Sequence, residues 1–111
     1  MEIETIVSDL LKSNMYVIKE NGRCILIDPC ITDCKIENAD YILLTHEHYD
    51  HISGVNYWRE KTGAIAIVSK ICAEKCADPR KNMSRYYETF CELQTWIPNY
   101  KSPSVKDYIG I

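Results

Sequence analysis

A chain of 111 residues, 46% hydrophobic and 26% charged, has the composition of one small globular domain with one core. Its net charge of −3 leaves no basic footprint for a nucleic-acid partner, and no apolar run is long enough to span a bilayer. The start, Met1-Glu2-Ile3-Glu4, is acidic and lacks the basic opening and apolar stretch of a secretory signal, so a cytoplasmic protein is expected.

The first element is a strand over residues 2–7, followed by a turn at 9–12. A stronger strand signal runs from Asn14 to Lys19. Asn21-Gly22 is the best hairpin signal in the chain, because both central positions of a type I′ turn need positive φ. The return strand, Arg23 to Asp28, is nearly all apolar and is expected to be buried on both faces. Pro29 stops it, and a polar loop over 32–38 leads to a further strand, Asp40 to Leu44. Residues 52–61 read as one helix ended by Gly63, and Ala64 to Val68 as another strand. Ser69 is placed to cap a helix over 70–77 that Pro79 closes. Residues 84–95 have helical spacing, and 96–111 have no clear periodicity. The order is mixed α/β, with more apolar strand than one small helix can cover, so the sheet is expected to need a second layer.

Six cysteines are present: Cys24, Cys30, Cys34, Cys72, Cys76 and Cys91. Without an export signal they are read as reduced thiols. Cys30/Cys34 and Cys72/Cys76 have the spacing that shares a helix face, but no tight C-x-x-C pair occurs. Inert, semi-buried thiols are favoured over a soft-metal or redox site.

All three histidines lie within Thr45-His46-Glu47-His48-Tyr49-Asp50-His51, directly after Tyr41-Ile42-Leu43-Leu44. A lone loop histidine is ordinarily solvated, but three with an aspartate at this spacing make a ligand cluster. Residues two apart in an extended segment point the same way, so His46 and His48 can converge on one ion. Asp50 and His51, just past the strand, can turn toward a second position beside it. Neutral imidazoles and a carboxylate suit Zn²⁺, and also Fe or Mn. Glu47 and Tyr49 alternate with these residues and are read as facing outward.

The stretch Thr45 to Gly54 resembles the T-H-x-H-x-D-H-x-x-G signature of the metallo-β-lactamase superfamily, in particular its glyoxalase II-like hydrolases. Ser13 to Ile18, Ile25 to Pro29, Asp78-Pro79 and Asn82-Met83-Ser84 resemble further segments of that family. The resemblance implies the N-terminal half of an αβ/βα sandwich, a mixed sheet with helices, with residues 1–111 forming a truncated domain. It implies His46 and His48 as ligands of a first metal and Asp50 and His51 as ligands of a second, one or two Zn²⁺ ions in all. Asp50 would also orient the nucleophilic water or take part in proton transfer, which makes it the catalytic residue. Asp28 would hold the site in shape from outside it; the bland alternative is a turn former before proline. Gly54 would permit close backbone approach. The implied reaction is hydrolysis of a thioester or other ester by metal-bound hydroxide, with a small molecule as substrate. Two features depart from the family pattern: Cys30 replaces a glycine, and no histidine follows His51. Each metal position therefore has two protein ligands where a catalytic zinc takes three. The readings that follow are a hydrolase, a non-catalytic remnant serving as a metal-binding or assembly module, and a thiol-based sensor, in that order. A missing second layer would favour a homodimer or a complementary second-half polypeptide.

Overall fold

The computed structural model describes residues 1–8 and 12–84, and all structural statements concern these. The predicted helix over 84–95, Cys91 and the segment 96–111 therefore lie outside the described residues, apart from Ser84.

Five strands form one sheet in the order β1-β2-β3-β4-β5. They are β1 (Glu2–Val7), β2 (Asn14–Glu20), β3 (Arg23–Ile27), β4 (Tyr41–Leu43) and β5 (Ile65–Ile67). The first three pair antiparallel, and β3–β4 and β4–β5 pair parallel. The β2–β3 turn has φ of 51° at Asn21 and 79° at Gly22, the positive values that the Asn-Gly dipeptide predicts.

Alternation sorts the strands into two faces. Met15, Val17, Cys24, Leu26 and Ile42, all 5% exposed or less, face the helices. There they pack in one cluster with Ile52, Val55, Trp58, Cys72 and Cys76. The Trp58 indole N–H is satisfied by the carbonyl of Ile31 at 2.8 Å. The opposite face carries two apolar rows in register. One row runs Ile3, Ile18, Ile25, Tyr41, Ile65. The other runs Thr5, Tyr16, Ile27, Leu43, Ile67. Ile25 and Ile27 are half-buried, which corrects the expectation that β3 is buried on both faces.

The predicted single helix over 52–61 is two helices, α1 (Tyr49–Ile52) and α2 (Val55–Thr62). The break falls at Ser53-Gly54, where a Cβ on Gly54 would lie 2.3 Å from the Pro29 carbonyl oxygen. The backbones touch there, and only glycine fits. Gly63, with φ of 74°, ends α2 as expected. Ser69 caps α3 (Lys70–Cys76) by accepting the Cys72 N–H at 3.1 Å. Cys72 and Cys76 share a face of α3, with Sγ atoms 3.9 Å apart. Cys30 and Cys34 sit in the irregular stretch before β4, so the expectation of a shared helix face fails for them. All five described cysteines are free thiols.

Candidate metal centre

Strand directions decide what meets at one end of the sheet. Because β3 and β4 run parallel, their C-terminal ends lie side by side, the usual position of an α/β site. Asp28 ends β3, and its N–H donates to the Leu43 carbonyl at 3.0 Å. Because β2 runs antiparallel to β3, the residue before it, Ser13, is at the same end. The chain leaves β4 through Thr45, His46 and His48 and turns into α1, which carries Asp50 and His51. Asp50 and His51 thus lie just past the strand, as expected, and on a short helix. Helix α1 starts early because the Tyr49 N–H donates to the Asn82 carbonyl at 2.8 Å. Tyr49 is 6% exposed and belongs to the core, so the expectation that it faces outward fails. Glu47 does turn away from the cluster, with Oε1 3.4 Å from Lys75 Nζ. Hydrogen bonding to backbone and the neighbouring ammonium hold its carboxyl below the usual range.

The imidazoles of His48 and His51 both lie against that of His46. The His46 ring centroid is 4.8 Å from that of His48 and 4.2 Å from that of His51. Ligand atoms of Asp28, His46 and His51 all lie within 4.8 Å of one another, which makes these three a candidate metal-binding cluster. Partial burial and the neighbouring imidazoles His51 and His48 push the His46 pKa down, against the opposing pull of Asp28 and Asp50. The ring is thus kept neutral, as a ligand must be.

Asp28 is 3% exposed and meets three polar contacts. Oδ1 accepts the Thr45 N–H at 2.8 Å, and Oδ2 accepts the Thr45 hydroxyl at 2.5 Å. His51 Nδ1 is 3.3 Å from the same Oδ2. Thr45 has one hydroxyl proton and gives it to Asp28. Its 2.8 Å contact with His46 Nδ1 therefore has the ring N–H as donor, which leaves the lone pair on His46 Nε2. His51 likewise turns Nδ1 toward Asp28, which leaves Nε2 as its outward ring nitrogen. That Nε2 lies 3.5 Å from Asp50 Oδ2. Thr45 was present in the quoted motif, but its part in orienting His46 has no signal in spacing. Ser13, whose hydroxyl donates to Asp50 Oδ2 at 2.5 Å, stands far off in sequence and has none either.

A recess of about 720 Å³ opens at the other end of the sheet, around Glu20, Gly22, Arg23 and Lys35, and includes no histidine. No helix among the described residues is long and apolar enough to cross a membrane.

A mixed sheet flanked by helices, with imidazoles and carboxylates gathered at the strand ends, defines an α/β protein with a metal-binding cluster. Residues 8–90 match the metallo-beta-lactamase superfamily, and the chain belongs to that family. It is 41% identical over 61 residues to a hydroxyacylglutathione hydrolase of Klebsiella pneumoniae, covering 48% of this chain and 24% of that protein. A metal-dependent hydrolase of Geobacillus sp. is 44% identical over 57 residues, 45% of this chain and 25% of that one. Another from Staphylococcus aureus is 37% identical over 70 residues, 57% and 30% of the two chains. The chain thus spans 24–30% of the length of these relatives. The crystal structure of the BLEG-1 B3 metallo-beta-lactamase superposes with a TM-score of 0.66 at 23% identity, over 75% of this chain and 44% of that one. That likeness bears on the fold.

Proposed function

We propose that this chain is the metal-holding part of a metal-dependent hydrolase acting on a small thioester or ester. The observation that carries the reading is the gathering of Asp28, His46 and His51 ligand atoms within 4.8 Å of one another, with Asp50 Oδ2 3.5 Å from His51 Nε2. The donor set, imidazole nitrogens beside carboxylate oxygens, fits a cation of the Zn²⁺, Fe or Mn class. His46 and His48 would hold one ion and Asp50 and His51 a second. In support, the 3.5 Å between His51 Nε2 and Asp50 Oδ2 matches two ligands of one ion. Bonds of about 2.1 Å in a tetrahedron give an edge of about 3.4 Å. Asp28, hydrogen-bonded to Thr45 and within reach of His51, would hold these ligands in place, and its own carboxylate lies within the cluster.

When bound, the ion would supply Lewis acidity toward a carbonyl and toward water. The chain's own residues do the rest. Asp28 and Thr45 fix the ring of His46, and Asp28 fixes that of His51. Asp50, at the cluster's edge, orients water and takes up its proton. The hydroxyacylglutathione hydrolase among the relatives supports a thioester as the first substrate class to try.

The test is metal analysis of the purified chain and of His48→Ala at neutral pH, followed by assay of an acylglutathione thioester. The wild type is expected to carry Zn, Fe or Mn and the variant less. Absence of metal from both would sink the ligand assignment. Metal without hydrolysis would select the second reading, a non-catalytic metal-binding or assembly module. The pairing of two donors to each position favours that reading.

A further inference from the structure

We propose that Ser13 is a positioning residue for Asp50, and that its buried hydroxyl sets the metal affinity of the cluster. The inference rests on the metal-site reading above. Asp50 lies on a helix of four residues whose N-cap, His48, makes no side-chain capping bond. So short a helix does little to fix a side chain's direction, and an external donor is needed. Ser13 supplies it, donating to Asp50 Oδ2 at 2.5 Å. This is the oxygen that faces His51 Nε2.

Ser13 is itself held rigidly. It is 5% exposed. Its N–H donates to Ser8 Oγ at 2.9 Å, and its carbonyl accepts the Ser8 N–H at 2.9 Å. The Cys30 thiol lies 3.8 Å from the same carbonyl. A hydroxyl in so buried a position needs a partner, and the partner it has is the site's carboxylate. Both bonding and position follow from the antiparallel β2–β3 pairing, which brings the start of β2 to the ligand end of the sheet. The hydroxyl occupies one lone pair of Oδ2 and stops the carboxylate rotating. The same oxygen lies 3.5 Å from His51 Nε2.

The experiment is a competition titration of the whole chain with Co²⁺ and Zn²⁺ against a chromophoric chelator, with the Co²⁺ d–d spectrum recorded. Ser13→Ala is expected to weaken binding about 10–100-fold, the usual effect of losing a group that orients a ligand. Ser13→Thr and Ser13→Val form a pair of matched shape, so that any loss of packing cancels between them. The threonine variant is expected to bind at least about tenfold tighter than the valine variant. In an Asp50→Ala background, Ser13→Ala is expected to cause no further loss, because its effect runs through that carboxylate. Equal affinity of the threonine and valine variants, or the same loss with and without Asp50, would overturn the proposal. A wild-type chain that binds neither ion would overturn the metal-site reading first, and this inference with it.

Discussion

Thr45 makes two contacts with one hydroxyl, and the geometry of His46 depends on both. Thr45→Val removes a donor from a buried carboxylate, which costs about 1–3 kcal/mol when the partner is left unpaired. A lower urea midpoint at neutral pH is the expected reading, and weaker metal binding should accompany it, since the His46 ring loses its anchor. Among the described thiols, Cys76 is the most strongly shifted. Burial, with Cys72 beside it, pushes its pKa from 9.0 up to about 12. The folded chain therefore keeps a proton that the unfolded chain releases. The stability this contributes is complete below pH 9.0 and is lost as pH rises toward about 12. Urea midpoints should fall between about pH 8 and about pH 10, and fall less in Cys76→Ala. Iodoacetamide should modify Cys76 far more slowly in the native than in the unfolded chain at neutral pH. The reduced-thiol reading of the cysteines is consistent with these buried environments.

At the level of elements, the joint between α1 and α2 is the most sensitive point. Gly54→Ala would place a Cβ 2.3 Å from the Pro29 carbonyl oxygen. The helix joint must then move away from the turn that carries Asp28. A loss of about 1–3 kcal/mol is expected, as for other overpacked positions. Reduced metal affinity should accompany it, and a thermal melt with a metal titration checks both. By contrast, Ser69→Ala removes a cap that makes no bond to the cluster and should cost about 1 kcal/mol with metal binding unchanged. Local signals carried much of this architecture. The Asn21-Gly22 turn, the Gly63 stop and the Ser69 cap were legible because each is a short-range backbone requirement. The division of the helix at Gly54 and the early start of α1 were not. Both are set by Pro29 and Asn82, partners distant in sequence, and periodicity does not record them. The helix-face expectation for Cys30 and Cys34 failed for a related reason: spacing is informative only where a helix exists.

At the level of the molecule, one face of the sheet is packed by helices and the other presents two in-register apolar rows. Ile3, Ile65 and Ile67 on that second face are 57%, 62% and 50% exposed. So much contiguous apolar surface should bind a hydrophobic dye such as anilinonaphthalene sulfonate in native buffer. The variant Ile65→Lys/Ile67→Lys should lower that fluorescence while leaving metal content unchanged. The expectation of a second layer came from counting apolar strand residues, and the register shows where such a layer would sit. That histidines gather at this end of the sheet was legible because all three fall in one short stretch. The supporting groups were less so: Asp28 was visible through family resemblance, whereas Ser13 meets Asp50 only after strand pairing.

The mixed pairing of the sheet also has a kinetic consequence. Strands β1, β2 and β3 form a meander joined by nearby residues, and such contacts close early. The β3–β4 seam is parallel and closes only after residues 28–40 have looped back, a later step. Ser13 and Asp28 stand on the early side of this seam, and Thr45, the three histidines and Asp50 on the late side. The contacts of Thr45 and His51 with Asp28 therefore clasp the last-formed joint, and an ion that fixes His46 and His51 would reinforce them. It should slow amide exchange at Asp28 and Thr45, whose N–H groups bridge the seam, and leave the β1–β2 amides nearly unchanged.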